Sequence, residues 1–291
     1  MINQLEKFKE YLRVKEEIDG FSFNSEVKKN FMSLVDGDKL KILEIGFGLG
    51  SMIKRCIKWG FSSEIEYWGI DKNGELIEPA KKNLVDFLTN YGLNYYINGD
   101  RIKVDDNVKV DVRFYQSELM DFRRNNYFNL LLANSFFDLV DIDKSIKKIL
   151  SLSEKNAIFY FTINYDGITR FLPYVDIKLD NKIEKIYNGS MNDLNCRYDQ
   201  SRSGSYLVDS LKKHKCEIKN LGPSDWVINP SFGENEKYFL LYILNLIQET
   251  VRSQDSFDER TEKWFSKRRQ QIKKEELFFR ACNLDMVGYL K

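Results

Sequence analysis

The sequence has little of the chemistry that marks metal centres and disulfide frameworks. Its 291 residues include one histidine, His214, and four cysteines that form no Cys-x-x-Cys pair. Zinc sites are typically built from closely spaced cysteines and histidines, and small secreted scaffolds from paired cysteines. The sequence therefore predicts neither a metal site nor a disulfide framework, and it favours reduced thiols in the cytoplasm.

An excess of charge and a long apolar run are also absent. Lysine and arginine number 45 against 44 aspartates and glutamates, which gives no bulk attraction for nucleic acid or anionic membrane. The most apolar segment, residues 238–247, is half of the roughly 20 residues that a membrane-spanning helix needs. The first 20 residues are charged throughout and show no signal-peptide pattern. We expect a cytoplasmic protein without a membrane span.

What the sequence does have is ample apolar material in alternating patterns. Apolar residues make up 43% of the chain, enough for a sizeable core. Their periodicity predicts strands at 41–45, 66–70, 108–115, 128–133, 157–164, 217–221 and 278–289. It predicts helices at 51–60, 76–91, 143–152, 205–214, 236–252 and 258–275, and a loop at 98–107. Such alternation builds parallel sheets covered by helices on both faces.

The organisation along the chain is that of one α/β domain with additions. Residues 1–36 carry helical spacing and are predicted to form an N-terminal helical cap on a domain of residues 37–291. The alternation breaks at about 165–204, which reads as an irregular insertion or lid after the fifth strand. A second insertion follows the sixth strand.

A glycine-rich turn follows the first strand in the segment KLKILEIGFGLG. Gly46, Gly48 and Gly50 stand at every second position between a strand and a helix. Ligands of open α/β sheets bind at the carboxyl ends of the strands, and glycines let a ligand approach the backbone closely. The dinucleotide pattern GxGxxG needs a glycine at position 51, which is Ser51, and the P-loop pattern is absent. The turn therefore predicts a ligand other than a standard dinucleotide.

An acidic residue at the end of the second strand supports a nucleoside ligand. Asp71 ends the segment WGID, 25 positions beyond Gly46. A carboxylate there can accept hydrogen bonds from both hydroxyls of a ribose. The glycine turn and Asp71 together predict a nucleoside-containing cofactor.

These residues resemble class I S-adenosylmethionine-dependent methyltransferases. The family's first motif is an acid, any residue, then GxGxG, and EIGFGLG at 44–50 matches it; Asp71 matches the family's ribose-binding acid. NLLLANSFFDLV at 129–140 resembles the fourth-strand motif of a bacterial subgroup, which reads roughly DLVTASALLDLV. NYDG at 164–167 and YLRVKE at 11–16 resemble the subgroup's TYDG and WLxLRE. The segment RYDQ at 197–200 matches the subgroup's FNxHQ only loosely.

The resemblance implies a fold, a cofactor and a set of site residues. The fold is a Rossmann-like, seven-stranded, mostly parallel sheet with helices on both faces, an N-terminal helical cap and insertions after strands 5 and 6. The cofactor is S-adenosyl-L-methionine, without a metal. Its implied binding residues are Glu44, Gly46, Phe47, Gly48, Gly50, Asp71, Lys72, Ser117, Glu118, Asn134 and Ser135. Glu118 departs from the family, because aspartate is common at that position.

The methyl acceptor is predicted to meet the ends of the fourth and fifth strands. Asn134 and Ser135 are expected to face the point of methyl transfer, and Tyr165 and Asp166 are the predicted catalytic or substrate-contacting residues. Asp138 is expected to cap the next helix, since aspartate favours that position. Trp226, after the sixth strand, could form an aromatic wall of the pocket, although a core position is favoured.

The predicted function is methyl transfer to a small-molecule acceptor. Neutral charge balance and aromatic insertions fit an enclosed pocket better than an extended nucleic-acid track. A methyltransferase acting on RNA or protein and a non-catalytic S-adenosylmethionine-binding partner protein are the alternatives. The expected partner is a small-molecule substrate, with neither nucleic acid nor membrane.

Overall fold

The computed structural model describes residues 4–35, 39–60, 64–106, 108–192, 198–254 and 257–291. Its strands are β1 Lys39–Ile45, β2 Glu64–Asp71, β3 Tyr95–Asn98, β4 Arg101–Asp105, β5 Lys109–Gln116, β6 Phe128–Asn134, β7 Ser153–Leu172, β8 Glu217–Pro223, β9 Trp226–Ile228 and β10 Phe278–Tyr289. Its helices are α1 Gln4–Ser22, α2 Ser25–Leu34, α3 Ser51–Trp59, α4 Ile77–Asn90, α5 Ile142–Leu152, α6 Ile177–Ser190, α7 Ser203–Lys213, α8 Glu234–Arg252 and α9 Glu259–Lys273.

The strands form one mixed sheet in the order β3-β4-β5-β2-β1-β6-β7-β10-β8, with β9 paired to β10. The centre, β5-β2-β1-β6-β7, is parallel, and β10 runs antiparallel between β7 and β8. Every one of the seven predicted strands is present within this order. The carboxyl ends of β1, β2, β5 and β6 therefore meet at one edge of the sheet, which is where a ligand of an open α/β sheet binds.

The sheet has ten strands rather than the predicted seven. β3 and β4 form a hairpin on the edge of β5, in a segment for which the sequence predicts a loop. The alternation of buried Ile102 and Val104 with charged neighbours is the period of a half-buried strand, and Asn98-Gly99 supplies the turn. Because charged residues occupy every second position, the composition of this segment predicts a loop and not a strand. The remaining addition is the short β9.

The irregular structure predicted for 165–204 is wrong over the described part of that segment. β7 continues to Leu172 beside β10, α6 follows, and α7 begins at Ser203. Gly167 adopts φ 84° inside the strand, so its Asp-Gly signal marks an irregularity of the strand and not its end. Residues 193–197 lie outside the described residues, and the loose similarity at Arg197 lies there with them.

Three apolar clusters hold the layers together. One face of the sheet packs on α2, α3 and α4, and the opposite face packs on α5 and α7. The extension of β7 and β10 packs with β9 on α1, α6, α8 and α9. No helix in the described ranges is long and apolar enough to span a membrane.

Candidate functional site

All three glycines of the turn after β1 adopt the left-handed backbone region. The φ values are 74° at Gly46, 54° at Gly48 and 73° at Gly50. This conformation costs an L-residue with a side chain roughly 1–2 kcal/mol, which explains why glycine stands at each position. The turn is fixed to the neighbouring strand because the N–H of Gly46 donates to the carbonyl of Ile70 at 2.8 Å. Helix α3 begins directly after the turn.

Asp71 lies beside this turn and is already bonded to it. Its Oδ2 accepts from the N–H of Gly48 at 3.1 Å, and its Oδ1 accepts from the N–H of Asn73 at 2.9 Å. These two bonds fix the plane of the carboxylate. Each oxygen retains acceptor capacity, because a carboxylate offers about four lone-pair positions. The half-buried carboxylate is thus oriented to accept two hydroxyl donors.

Glu44 provides a second carboxylate beneath the turn. Its side chain is 1% exposed, and its Oε2 has no hydrogen-bond partner among the described residues. Burial raises the pKa of Glu44 well above its usual value, and the charges of Asp71 and Glu16 add to the shift, while Arg55 opposes it. An unpartnered buried carboxylate is costly unless a donor reaches it. The arrangement suits a ligand that carries an ammonium group.

The residues predicted at the end of β5 are more exposed. The N–H of Ser117 donates to the carbonyl of Asp71 at 2.9 Å, so this segment lies directly beside the second strand. Glu118 and Lys72 are both exposed at the same edge. The structure therefore brings these residues next to Asp71, and the carboxylate of Glu118 has no hydrogen-bond partner in the described chain.

Asn134 and Ser135, at the end of β6, are bonded to helix α1. Asn134 Nδ2 donates to Asp19 Oδ2 at 2.9 Å, and Lys15 Nζ donates to Ser135 Oγ at 2.9 Å. Ser135 has φ 52°, a conformation that costs energy outside glycine and is concentrated at functional sites. Both residues lie at the predicted edge, and α1 covers them.

Lys15 and Asp19 form a buried ion pair that the sequence does not predict. Lys15 Nζ donates to Asp19 Oδ2 at 2.5 Å, and the side chains are 9% and 2% exposed. Trp226 Nε1 donates to Asp19 Oδ1 at 2.9 Å, so this tryptophan lies at the site and not only in the core. The only sequence signal was the similarity of YLRVKE at 11–16 to a subgroup motif.

Leu12 and Glu16 of helix α1 hold the helix over the glycine turn. A methyl group built on Gly48 would lie 3.8 Å from Leu12 Cδ1, so α1 passes directly over the turn. Glu16 accepts from Lys54 at 2.7 Å, and its carbonyl accepts from Arg55 at 2.6 Å. The helix thus closes the edge of the sheet between the turn and β6.

Tyr165 and Asp166 point to different partners. The hydroxyl of Tyr165 donates to Asn188 Oδ1 at 2.8 Å, and burial raises the pKa of Tyr165. Asp166 accepts from the backbone N–H and the hydroxyl of Ser205, at 3.0 and 3.1 Å, in the first turn of α7. The structure does not bring these two side chains together, and their predicted contact with an acceptor stays a prediction.

Asp138 does not cap the next helix, as the sequence predicts. Asp141 occupies that position, where it accepts from the N–H of Lys144 at 3.0 Å. Asp138 Oδ1 is buried without a partner in the described chain, and burial raises its pKa, while the charge of Lys15 opposes the shift. A short 3-10 turn at Phe137–Leu139 separates Asp138 from the start of α5, so Asp138 is not in the capping position.

The architecture matches several solved structures at low sequence identity. A candidate methyltransferase from Bacillus halodurans C-125 superposes with a TM-score of 0.53 at 12% identity, covering 91% of this chain and 99% of that one. The YcgJ protein from Bacillus subtilis gives 0.50 at 12% identity, covering 92% and 99%. A SAM-dependent methyltransferase from Methanosarcina mazei gives 0.50 at 12% identity, covering 89% and 96%.

No protein-family model matches the sequence, and no curated protein sequence matches it either. At 12% identity the likeness concerns the fold. The fold implied by the sequence resemblance is confirmed in part: the chain has the α/β architecture of these methyltransferase structures, whereas its sheet has ten strands instead of seven and the described part of residues 165–204 is ordered.

Proposed function

We propose that the protein binds S-adenosyl-L-methionine and transfers its methyl group to a small-molecule acceptor. One observation supports this proposal in addition to the fold. Two carboxylates, Glu44 and Asp71, flank a turn of three left-handed glycines, one buried without a partner and the other oriented by two backbone donors. A ligand with an ammonium group and a ribose would satisfy both.

The residues present fit the parts of this cofactor. Asp71 would accept the ribose hydroxyls, and the unpartnered oxygen of Glu44 would accept from the ammonium of the methionine part. The glycine turn allows the nucleoside to lie against the backbone. Ser117, Glu118 and Lys72 border the same edge of the sheet, where the adenine is expected. When bound, the cofactor supplies a methyl group activated by the positive charge on sulfur.

The chain's own contribution is mainly orientation and the exclusion of water. Holding two reactants in line can supply roughly 7–11 kcal/mol of barrier reduction. Helix α1 covers the glycine turn through Leu12 and the end of β6 through Lys15. The cover also supports a small acceptor, because α1 encloses part of this edge in the described chain.

Calorimetric titration with S-adenosylmethionine and S-adenosylhomocysteine tests the proposal. We expect both to bind, and we expect Asp71→Ala to weaken binding by about 10- to 100-fold, since hydrogen bonds to a charged group contribute ~1.5–3 kcal/mol. Asp100→Ala, an exposed carboxylate in the β3–β4 turn, is the matched control and should bind normally. Absence of binding by the wild type, or equal binding by Asp71→Ala, would contradict the cofactor assignment.

Transfer of labelled methyl groups from the cofactor to cell extracts tests the acceptor class. We expect the label in a small-molecule fraction. Label recovered in RNA or in protein would contradict the small-molecule assignment while leaving the cofactor assignment intact.

A further inference from the structure

A cleft of about 510 Å³ lies between helices α1, α2 and α3. Small-molecule sites typically enclose ~300–1,000 Å³. Helix α1 lines the cleft with residues at the spacing of one helical face, Arg13, Glu16, Glu17 and Gly20. A different face of α1, with Leu12 and Lys15, meets the glycine turn and the end of β6. The cleft and the candidate cofactor edge therefore lie on different faces of the same helix.

Positive charge exceeds negative charge among the described side chains that line the cleft. The carboxylates among them, Glu16 and Glu17, both come from α1. The cations are Arg13, Lys28, Lys54, Arg55 and Lys58. Carboxylates neutralise two of these cations, since Lys54 pairs with Glu16 at 2.7 Å and Arg13 pairs with Glu10 at 2.6 Å.

The other three cations, Lys28, Arg55 and Lys58, form no ion pair with a described residue. Arg55 is 9% exposed, and its Nη2 donates to the backbone carbonyl of Glu16 at 2.6 Å. A carbonyl has no net charge, so this bond orients the guanidinium without neutralising it. Lys28 comes from α2, and Arg55 and Lys58 come from α3. The unpaired positive charge of the cleft is therefore contributed by α2 and α3, whereas its carboxylates come from α1.

Aromatic rings lie among these cations. Lys28 Nζ is 4.7 Å from the centroid of the Trp59 ring, and the guanidinium of Arg55 is 4.9 Å from the centroid of Phe23. Such contacts position a cation on a ring and leave its charge available. The ring of Phe21 also lines the cleft and is 82% exposed. A flat apolar group of a ligand can pack on this exposed ring.

We infer that the cleft binds a small phosphate ester whose organic part is flat and apolar. This inference goes beyond the proposed function and does not depend on it. A phosphate monoester carries a charge of roughly −1.5 to −2 near pH 7, so it matches several unpaired cations better than a single carboxylate does. The phosphate lies on the side of Lys28 and Lys58, away from the carboxylates of α1, and the organic part packs on Phe21.

The charges of the cleft favour a small molecule over a nucleic-acid strand. Nucleic-acid sites present a basic patch or stripe that follows many phosphates. Here Glu16 and Glu17 interrupt the positive charge on the α1 side of the cleft. A single phosphate group avoids these carboxylates, whereas a strand that crosses the cleft meets them.

Calorimetric titration of the full-length protein with phenyl phosphate tests the inference. We expect phenyl phosphate to bind more tightly than inorganic phosphate, and phenol to show no binding. The double variant Lys28→Gln/Lys58→Gln should weaken the binding of phenyl phosphate by about tenfold, the equivalent of two exposed charge contacts. Phe21→Ser should bind inorganic phosphate as the wild type does and lose the preference for phenyl phosphate.

A second double variant removes the same charge elsewhere. Lys29→Gln/Lys82→Gln changes exposed lysines of α2 and α4 that do not line the cleft, and it should bind phenyl phosphate as the wild type does. Asp71→Ala should also keep this site, because Asp71 lies at the glycine turn. Loss of phenyl phosphate binding in Asp71→Ala would place the probe at the glycine turn and overturn the inference.

Three other results would contradict the phosphate site. They are no binding of phenyl phosphate by the wild type, equal weakening in the two double lysine variants, and tighter binding of a single-stranded RNA that the Lys28→Gln/Lys58→Gln variant loses. Each result is independent of S-adenosylhomocysteine binding. The phosphate site and the proposed function can therefore fail separately.

Discussion

The backbone N–H of Gly48 donates to Asp71 Oδ2 at 3.1 Å, which joins the glycine turn after β1 to the end of β2. The bond fixes the turn and the carboxylate relative to each other before any ligand arrives. Because the folded chain already orients these groups, binding of a nucleoside there would cost less conformational entropy of the protein. This preorganised pair is the basis of the predictions for the cofactor.

Gly48→Ala should weaken cofactor binding in addition to destabilising the fold. The substitution places a side chain at φ 54°, and we expect the free energy of unfolding to fall by about 1–2 kcal/mol. Gly60→Ala is a matched control at φ 63°, where an added Cβ meets nothing within 4 Å. Both variants should lose similar stability in urea titrations, and only Gly48→Ala should lose affinity in calorimetry. Equal affinities would show that the turn does not contact the cofactor.

Cofactor binding should release protons from Glu44. Burial raises the pKa of this carboxyl, so it binds a proton in the free protein at pH values where an exposed glutamate has lost it. An ammonium beside it favours the charged form and expels that proton. Calorimetry at several pH values above 4.5, in buffers with different ionisation enthalpies, should therefore detect proton release, and Glu44→Gln should abolish the release and weaken binding. Release that persists in Glu44→Gln would assign the proton to another group.

The stability of the fold should depend on pH through Asp285. Its oxygens accept from the N–H groups of Ile163 and Asn24 at 2.8 and 2.9 Å, and burial raises its pKa from 3.8 to about 6. A raised pKa means that the folded state holds its proton more tightly. The resulting stability is present below pH 3.8 and is lost as the pH rises to about 6.

Comparison with Asp285→Asn isolates this dependence. Between pH 4 and pH 6.5 the wild type should lose about 2–3 kcal/mol of unfolding free energy relative to the variant. Urea titrations of both proteins at the two pH values provide the measurement. If the difference in unfolding free energy between the two proteins stays constant with pH, Asp285 has an ordinary pKa in the folded protein.

Arg268 should be among the most costly residues to remove. It is 0% exposed, pairs with Asp180 and donates to the carbonyl of Pro173 at 2.7 Å. Removing one partner of a buried pair leaves an uncompensated charge, which typically costs 3–5 kcal/mol. We expect Arg268→Met to lose about that much stability in urea.

The neighbouring Arg269 gives a matched control for this ion pair. It is half-buried and donates to the side chains of Asn245 and Gln248. Arg269→Met should therefore cost about 1 kcal/mol or less. Similar losses in both variants would mean that the buried pair contributes no more than a surface contact.

The geometry of the candidate cofactor edge could be predicted because its signals are local in the sequence. The glycines at 46, 48 and 50 follow an apolar strand directly, and Asp71 ends the next strand. The glycine turn and Asp71 each follow the carboxyl end of a strand. Because alternating strands and helices build a parallel sheet, both features are expected at the same edge of the sheet. The alternation thus predicts the parallel centre of the sheet, whereas the order of its strands is known only from the structure.

The contacts between α1 and this edge could not be predicted in the same way. Asp19 and Trp226 are 207 positions apart, and only tertiary packing brings them together. Lys15 and Asp19 at i and i+4 have the spacing of an ordinary surface pair on a helix, and no local pattern shows that they are buried. The β3–β4 hairpin was predictable from Asn98-Gly99, but the charged residues around it favoured a loop.

A crystal structure with S-adenosylhomocysteine tests the central claim most directly. We predict that the ribose hydroxyls contact Asp71, that the ammonium contacts Glu44, and that the sulfur lies toward Asn134 and Ser135 beneath α1. A nucleoside bound elsewhere on the protein, or crystals grown at saturating ligand that show none at the glycine turn, would contradict the proposal.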